Sequence, residues 1–222
     1  MRSFDDIYTI AAERKGSESE LEAQLTKPKT KAALKKISDD RWLSCASQIL
    51  FSAGFNWSVV ENKWPRFEEV FDGFKIGKLA LMSDEDIEHH LQDKTIIRNG
   101  ARLQAMRDNA IFFGELAQEH GTAAAFFADW PGDRFVELMT VLKKRGARLG
   151  GTTGPYFLRR MGVDSFILTQ PVIAALIREG IVDKAATSKR DQMAAQEAFN
   201  SWKAESKRPL TQISQVLAMS TG

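Results

Sequence analysis

Apolar residues recur along this chain every three to four positions, and no stretch alternates with a period of two. That spacing lines one stripe of a helix, so the pattern predicts an all-α protein with no significant sheet. The clearest case is Arg98–Gln118, where Leu103, Met106, Ala110 and Phe113 share a face. Arg41–Gly54 reads as an apolar helix capped by Asp39 and Asp40 and stopped by Gly54. Asn56 is placed to cap Trp57–Trp64, and Pro65–Phe71 is expected as a separate short helix. Ser83 with Asp86 resembles a capping box for Asp84–Leu91. Further helices are expected at Asp5–Arg14, on either side of Pro28, and over Lys75–Leu81, Ala123–Trp130 and Pro131–Lys144. The remaining ones are Gly154–Met161, Pro171–Arg178, Lys189–Glu205 and Leu210–Met219, with no solenoid repeat among them.

At 222 residues, with 43% hydrophobic and 27% charged positions, the chain can bury a substantial core. Cys45 is the sole cysteine, so no internal disulfide can form and a reducing compartment is expected. No apolar run has the length of a membrane span, and the N-terminus lacks the apolar core of a secretory signal, so a cytoplasmic, soluble protein is expected. Net charge is only +2, which makes the placement of charge more telling than its total. Between Leu138 and Val163, a run of 26 residues, there are six cations and no acid: Lys143, Lys144, Arg145, Arg148, Arg159 and Arg160. Within it lies a turn, Gly150-Gly151-Thr152-Thr153-Gly154, that leads into a helix. Backbone N–H groups bared by such a turn, a helix N-terminus and flanking cations together suit phosphates on a polymer. A solvated helix end followed by a tight turn gives the same pattern.

Three stretches carry a resemblance. They are Ala53-Gly54-Phe55-Asn56-Trp57 followed by Trp64–Phe74, then Asp93–Ala110, then Leu142–Gly162. In order and content they resemble the 3-methyladenine DNA glycosylase I family of the helix-hairpin-helix DNA glycosylase superfamily, over about residues 41–165. The resemblance implies a single two-lobed helical domain over 1–222. Residues 41–118 would form the lobe with the base pocket, 131–182 the helix-hairpin-helix region and 189–222 the closing helices, with 1–40 a divergent N-terminal segment. It also implies double-stranded DNA with a flipped damaged base as partner, a monomer with no membrane association, and no cofactor.

By the same resemblance, Leu149–Gly154 would grip phosphate. Lys143, Lys144, Arg145, Arg148, Gly150, Gly151, Thr152, Thr153 and Gly154 then form the DNA-binding set. Trp57 matches the tryptophan that stacks on the base, although a lone tryptophan is as readily core. Tyr156 matches a tyrosine after the Gly-Thr-Thr turn; its hydroxyl would reach substrate or satisfy a buried backbone group. The family places a base-recognising glutamate eight residues before its tryptophan, where this chain has Ile49, with Gln48 the nearest polar neighbour. Gln48 and Ile49 therefore join Trp57 and Tyr156 as expected base contacts. The family's structural zinc uses two Cys and two His. Cys45, His89, His90 and His120 cannot supply that set, so no metal is expected. The wider superfamily has an aspartate opening a helix where Thr169 stands, with Asp164 the nearest acid, so no catalytic residue is assigned and Gln48 and Thr169 stand as candidates. The activity implied is hydrolysis of the N-glycosidic bond of alkylated purines such as 3-methyladenine, without strand cleavage. The alternative is a catalytically inactive module that binds damaged or distorted DNA.

Overall fold

The computed structural model describes residues 1–221. Among them are fourteen α-helices, two single 3-10 turns and no strand, so the all-α expectation holds. Each segment expected to be helical contains a helix, and two of them, Trp57–Trp64 and Pro65–Phe71, are joined into one.

The chain forms two compact units. One comprises residues 1–29, 131–138 and 162–222. It holds α1 (Phe4–Lys15), α2 (Glu18–Gln24), α12 (Gln170–Arg178), α13 (Lys189–Ser206) and α14 (Leu210–Met219). Phe4, Ile7, Phe199, Trp202, Ile213 and Leu217 are fully buried there, and Phe166 stacks on Phe199 at 4.3 Å. The first residues are tied down by acids from distant helices. Phe4 N–H donates to Glu205, and Arg2 donates from both backbone and guanidinium to the buried Glu179. Of residues 1–40, residues 1–29 pack with 162–222 and the rest belong to the other unit.

The second unit comprises residues 30–130 and 139–161. It contains α3 (Lys31–Lys35), α4 (Asp39–Ser52), α5 (Trp57–Val70), α6 (Ile76–Ala80), α7 (Asp84–His90), α8 (Gly100–His120) and α9 (Ala123–Asp129). Most of α10 (Phe135–Arg145) and all of α11 (Thr153–Met161) complete it. Two aromatic clusters fill the core. Trp42 stacks on Phe127 at 5.0 Å and meets Phe157 edge-on, while Trp64 stacks between Phe67 and Phe74 at 4.8 and 5.3 Å.

Two local expectations fail here for physical reasons. Pro65 does not begin a helix; α5 runs through it. An interior proline costs about 3 kcal/mol. Its neighbours Trp64 and Phe67 are 7% and 0% exposed, and burying two such rings contributes about 3–6 kcal/mol, enough to keep the helix whole. Nor do Asp39 and Asp40 cap their own helix, whose N-cap is Ser38. Asp39 accepts from the N–H groups of Ala123 and Ala124 at 2.9 and 2.8 Å, and Asp40 accepts from Ile76 N–H at 3.2 Å. Each carboxylate thus caps a helix distant in sequence, α9 and α6, where the exposed N–H groups favour an anion. The Ser83–Asp86 capping box and the Asn56 cap form as the sequence indicates.

Candidate nucleic-acid interface

An open cavity of about 420 Å³ in the second unit is lined by Ile49, Trp57, Tyr156, Arg159 and Arg160. Three helices supply these side chains: Ile49 from α4, Trp57 from the first turn of α5, and the rest from α11. Trp57 and Tyr156 meet edge to face, with ring centroids 5.8 Å apart and planes at 62°. Trp57 is 38% exposed, unusual for so large an apolar ring, so a flat surface remains open to an incoming partner. Tyr156 lines the cavity and makes no side-chain hydrogen bond to a buried backbone group among the described residues. Gln48 does not line the cavity; one residue along a helix is a rotation of about 100°, which turns Ile49 inward and Gln48 aside. Thr169 lies in the other unit, where its hydroxyl caps α12 by accepting from Val172 N–H. Asp164 is likewise committed, accepting from Thr211 N–H at 2.9 Å and pairing with Lys203 at 3.0 Å.

The α4–α5 turn that presents Trp57 is braced by Arg102 of α8. Its guanidinium donates to the carbonyls of Phe51 and Ala53 and lies 4.6 Å over the ring of Phe55. A cation is well placed at these last carbonyls of α4. Burial, and after it the neighbouring Arg148, holds the Arg102 guanidinium below its ordinary pKa. Gly54, with φ +74°, permits the turn.

Between α10 and α11 the chain makes the glycine-rich turn. Here α8 acts again: the side-chain amide of fully buried Asn109 donates to Ala147 C=O at 3.0 Å and accepts from Ala147 N–H at 2.9 Å. This reciprocal pair fixes the turn as a neighbouring strand would. The glycines divide by role. A Cβ on Gly154 would lie 2.6 Å from the Leu149 carbonyl, and one on Gly146 would lie 2.8 Å from the Leu142 carbonyl, so packing requires both. Gly151, at φ +60° with open space around it, is the glycine that leaves backbone bare to a ligand. Gly150 lets the stem of Lys143 lie across the turn, 3.2 Å from where a Cβ would sit. Lys143, Lys144, Arg148, Gly151 and Thr152 are exposed around this turn, with Thr153 half-buried at the start of α11.

Arg145 differs from the cations beside it. It pairs with Glu119 at 2.7 Å and Glu115 at 3.2 Å, and its guanidinium stacks 5.1 Å over Phe112. The hydrogen bond to Glu119 raises the Arg145 pKa and lowers that of Glu119. Counting charge along the sequence gave Arg145 the same weight as Lys143; the structure spends it on anchoring α10 to α8. Sequence reasoning also passed over Arg102 and Asn109. The signal for Asn109 was a polar residue beside Ala110 on the core face of the most regular helix.

The residues that would have to hold a structural zinc do not fit one. Cys45 is on α4, His89 and His90 are on α7, and His120 ends α8; no group of three or more metal-binding side chains converges among the described residues. No helix among those residues is long and apolar enough to cross a membrane.

Residues 39–145 match the family model described as methyladenine glycosylase. The DNA-3-methyladenine glycosylase 1 of Escherichia coli (strain K12) is 29% identical over 130 residues, covering 50% of this chain and 70% of that protein. A crystal structure of 3-methyladenine DNA glycosylase I superposes with TM-score 0.50 at 25% identity, over 63% of this chain and 83% of the other. The 8-oxoguanine glycosylase/lyase of Methanocaldococcus jannaschii, solved in complex with a DNA 15mer containing 8-oxoguanine, aligns over 95% of this chain and 94% of its own. Its TM-score is 0.53 and its identity 15%, a likeness of fold. The matched segment holds α4 and α5, which bring Ile49 and Trp57 to the cavity, and α8, which braces the turn between them; over this segment the chain is similar to the methyladenine glycosylase family.

Proposed function

We propose that this protein is a monofunctional DNA N-glycosylase that removes alkylated purines, 3-methyladenine first among them, from double-stranded DNA. The observation that carries the reading is the half-exposed Trp57 set against Tyr156 in a cavity lined by α11, the helix that the glycine-rich turn opens. Lys143, Lys144 and Arg148 neutralise phosphates, and the bared backbone around Gly151 approaches one closely. The damaged nucleotide rotates out of the stack, and its base lies on Trp57. 3-Methyladenine in DNA carries a positive charge. Breaking its N-glycosidic bond returns the electron pair to the ring and releases a neutral base, so no acid need protonate the leaving group. Water adds to the sugar C1′ and gives up its proton to solvent. Shape, stacking and exclusion of bulk water do most of the work. No lysine lines the cavity, which fits water rather than an amine as nucleophile. We read the protein as a cytoplasmic monomer.

The test is chromatographic detection of bases released from methylated duplex DNA. The reading requires 3-methyladenine release by the wild type and its abolition by Trp57→Ala with DNA binding retained. Tight binding to damaged DNA without release of any base would instead identify a non-catalytic module.

A further inference from the structure

Two arginines and no acid are among the residues that line the cavity, so a cationic base finds no negative partner in the lining itself. An acid pairs with one of the lining arginines. Glu61 follows Trp57 by four residues on α5, so the two share a helix face. Across from them, Arg160 follows Tyr156 by four residues on α11. The aromatic pair Trp57–Tyr156 and the ion pair Glu61–Arg160, at 3.0 Å, are thus successive rungs between the same two helices. Arg160 lines the cavity, and the Glu61 carboxylate is its ion-pair partner. The Glu61 and Arg160 side chains are 48% and 38% exposed, so the pair contributes little to stability and exchanges partners readily.

We propose that Glu61 is the residue that selects a positively charged base. A cationic purine stacked on Trp57 displaces Arg160 from the carboxylate, and Glu61 turns one rotamer toward the base while Arg160 moves out to water. Glu61 thereby supplies from α5 the negative charge that Ile49 does not supply from α4. A neutral base has no charge with which to compete for Glu61 and meets the pair closed. This inference rests on the glycosylase reading and deepens it.

The experiment measures single-turnover release of 3-methyladenine from methylated duplex DNA at saturating enzyme, for wild type, Glu61→Gln, Glu61→Asp and Arg160→Gln, each checked for an unchanged melting midpoint. Loss of a charge-assisted contact is expected to slow Glu61→Gln about ten- to a hundredfold, with Glu61→Asp recovering part of the rate. Arg160→Gln removes the competitor for the carboxylate and is expected to speed release about two- to fivefold. Opposite signs for Glu61→Gln and Arg160→Gln support the proposal. Equal losses in both would make the pair merely structural and overturn it, as would full activity of Glu61→Gln beside an active wild type. A wild type that releases no methylated base overturns the proposal together with the reading beneath it.

Discussion

Replacing Asn109 by alanine should loosen the glycine-rich turn and unsettle the unit that carries it. Asn109 is 0% exposed and makes two hydrogen bonds, both to Ala147, at 3.0 and 2.9 Å. Each contributes about 1 kcal/mol net, and their loss also strands the Ala147 N–H and C=O in a half-buried position. The sum is a destabilisation of about 2–3 kcal/mol. For a urea dependence of about 2–3 kcal/mol per molar, the unfolding midpoint should fall by about 1 M. Amide hydrogen exchange distinguishes this from general loss of packing, because Ala147 should lose protection beyond the global effect. Asn109→Asp retains the acceptor for Ala147 N–H but sets a carboxylate oxygen against Ala147 C=O. Protonation restores a donor there, so this variant should be most stable in acid and weaken as pH rises. A midpoint for Asn109→Ala within about 0.2 M of wild type, with Ala147 exchange unaltered, would refute the argument that α8 holds the turn.

Three further outcomes follow from the same geometry. The double variant Lys143→Gln/Lys144→Gln should reduce the slope of log affinity against log salt by about 1.8, read by fluorescence anisotropy on duplex DNA, whereas Arg145→Gln should cost stability and change that slope less than either lysine. Gly154→Ala drives a Cβ to 2.6 Å from a backbone carbonyl and should lower the melting temperature more than Gly151→Ala. At Gly151 the φ of +60° costs about 1 kcal/mol but nothing lies within 4 Å. His90, packed 4.7 Å from the Phe71 ring, has its pKa lowered chiefly by burial and next by His89. The native state therefore favours the neutral ring. That contribution is present above the ordinary histidine pKa and is lost as pH falls through the lowered one, so His90→Gln should flatten the stability profile between about pH 7 and 5 in urea titrations.

The helical class and most element positions were legible because the 3.6-residue period is a property of near neighbours. What misled was reading local signs as local causes. Asp39 and Asp40 stand where a cap belongs, yet the amides they hold are far along the chain, and spacing alone cannot report that. Pro65 is a breaker by its ring and missing N–H, but the stacked Trp64 and Phe67 outweigh it through contacts that exist only after packing. The order of residues around Trp57 and Tyr156 pointed to both rings; their mutual contact is tertiary. Charge was the least transferable signal. Lys143, Lys144 and Arg145 are alike in sequence, and only the positions of Glu115 and Glu119 on α8 set the third apart.

The discontinuous unit has a consequence for how the chain is made. Residues 1–29 leave the ribosome before any of 30–161, but the helices they pack against, α13 and α14, begin at Lys189 and Leu210. At about 5–20 residues per second, Phe4 and Ile7 wait roughly ten to forty seconds for their partners. The second unit, by contrast, is complete once residue 161 is made, interrupted only by residues 131–138 of the first unit. Nascent chains stalled at that length should hold a protease-resistant core while their first residues remain open to cleavage. The apolar side of α1 is therefore the surface on which a trigger-type chaperone would act, and a fusion that delays residues 189–219 would prolong its exposure more than any change within the α1 sequence itself.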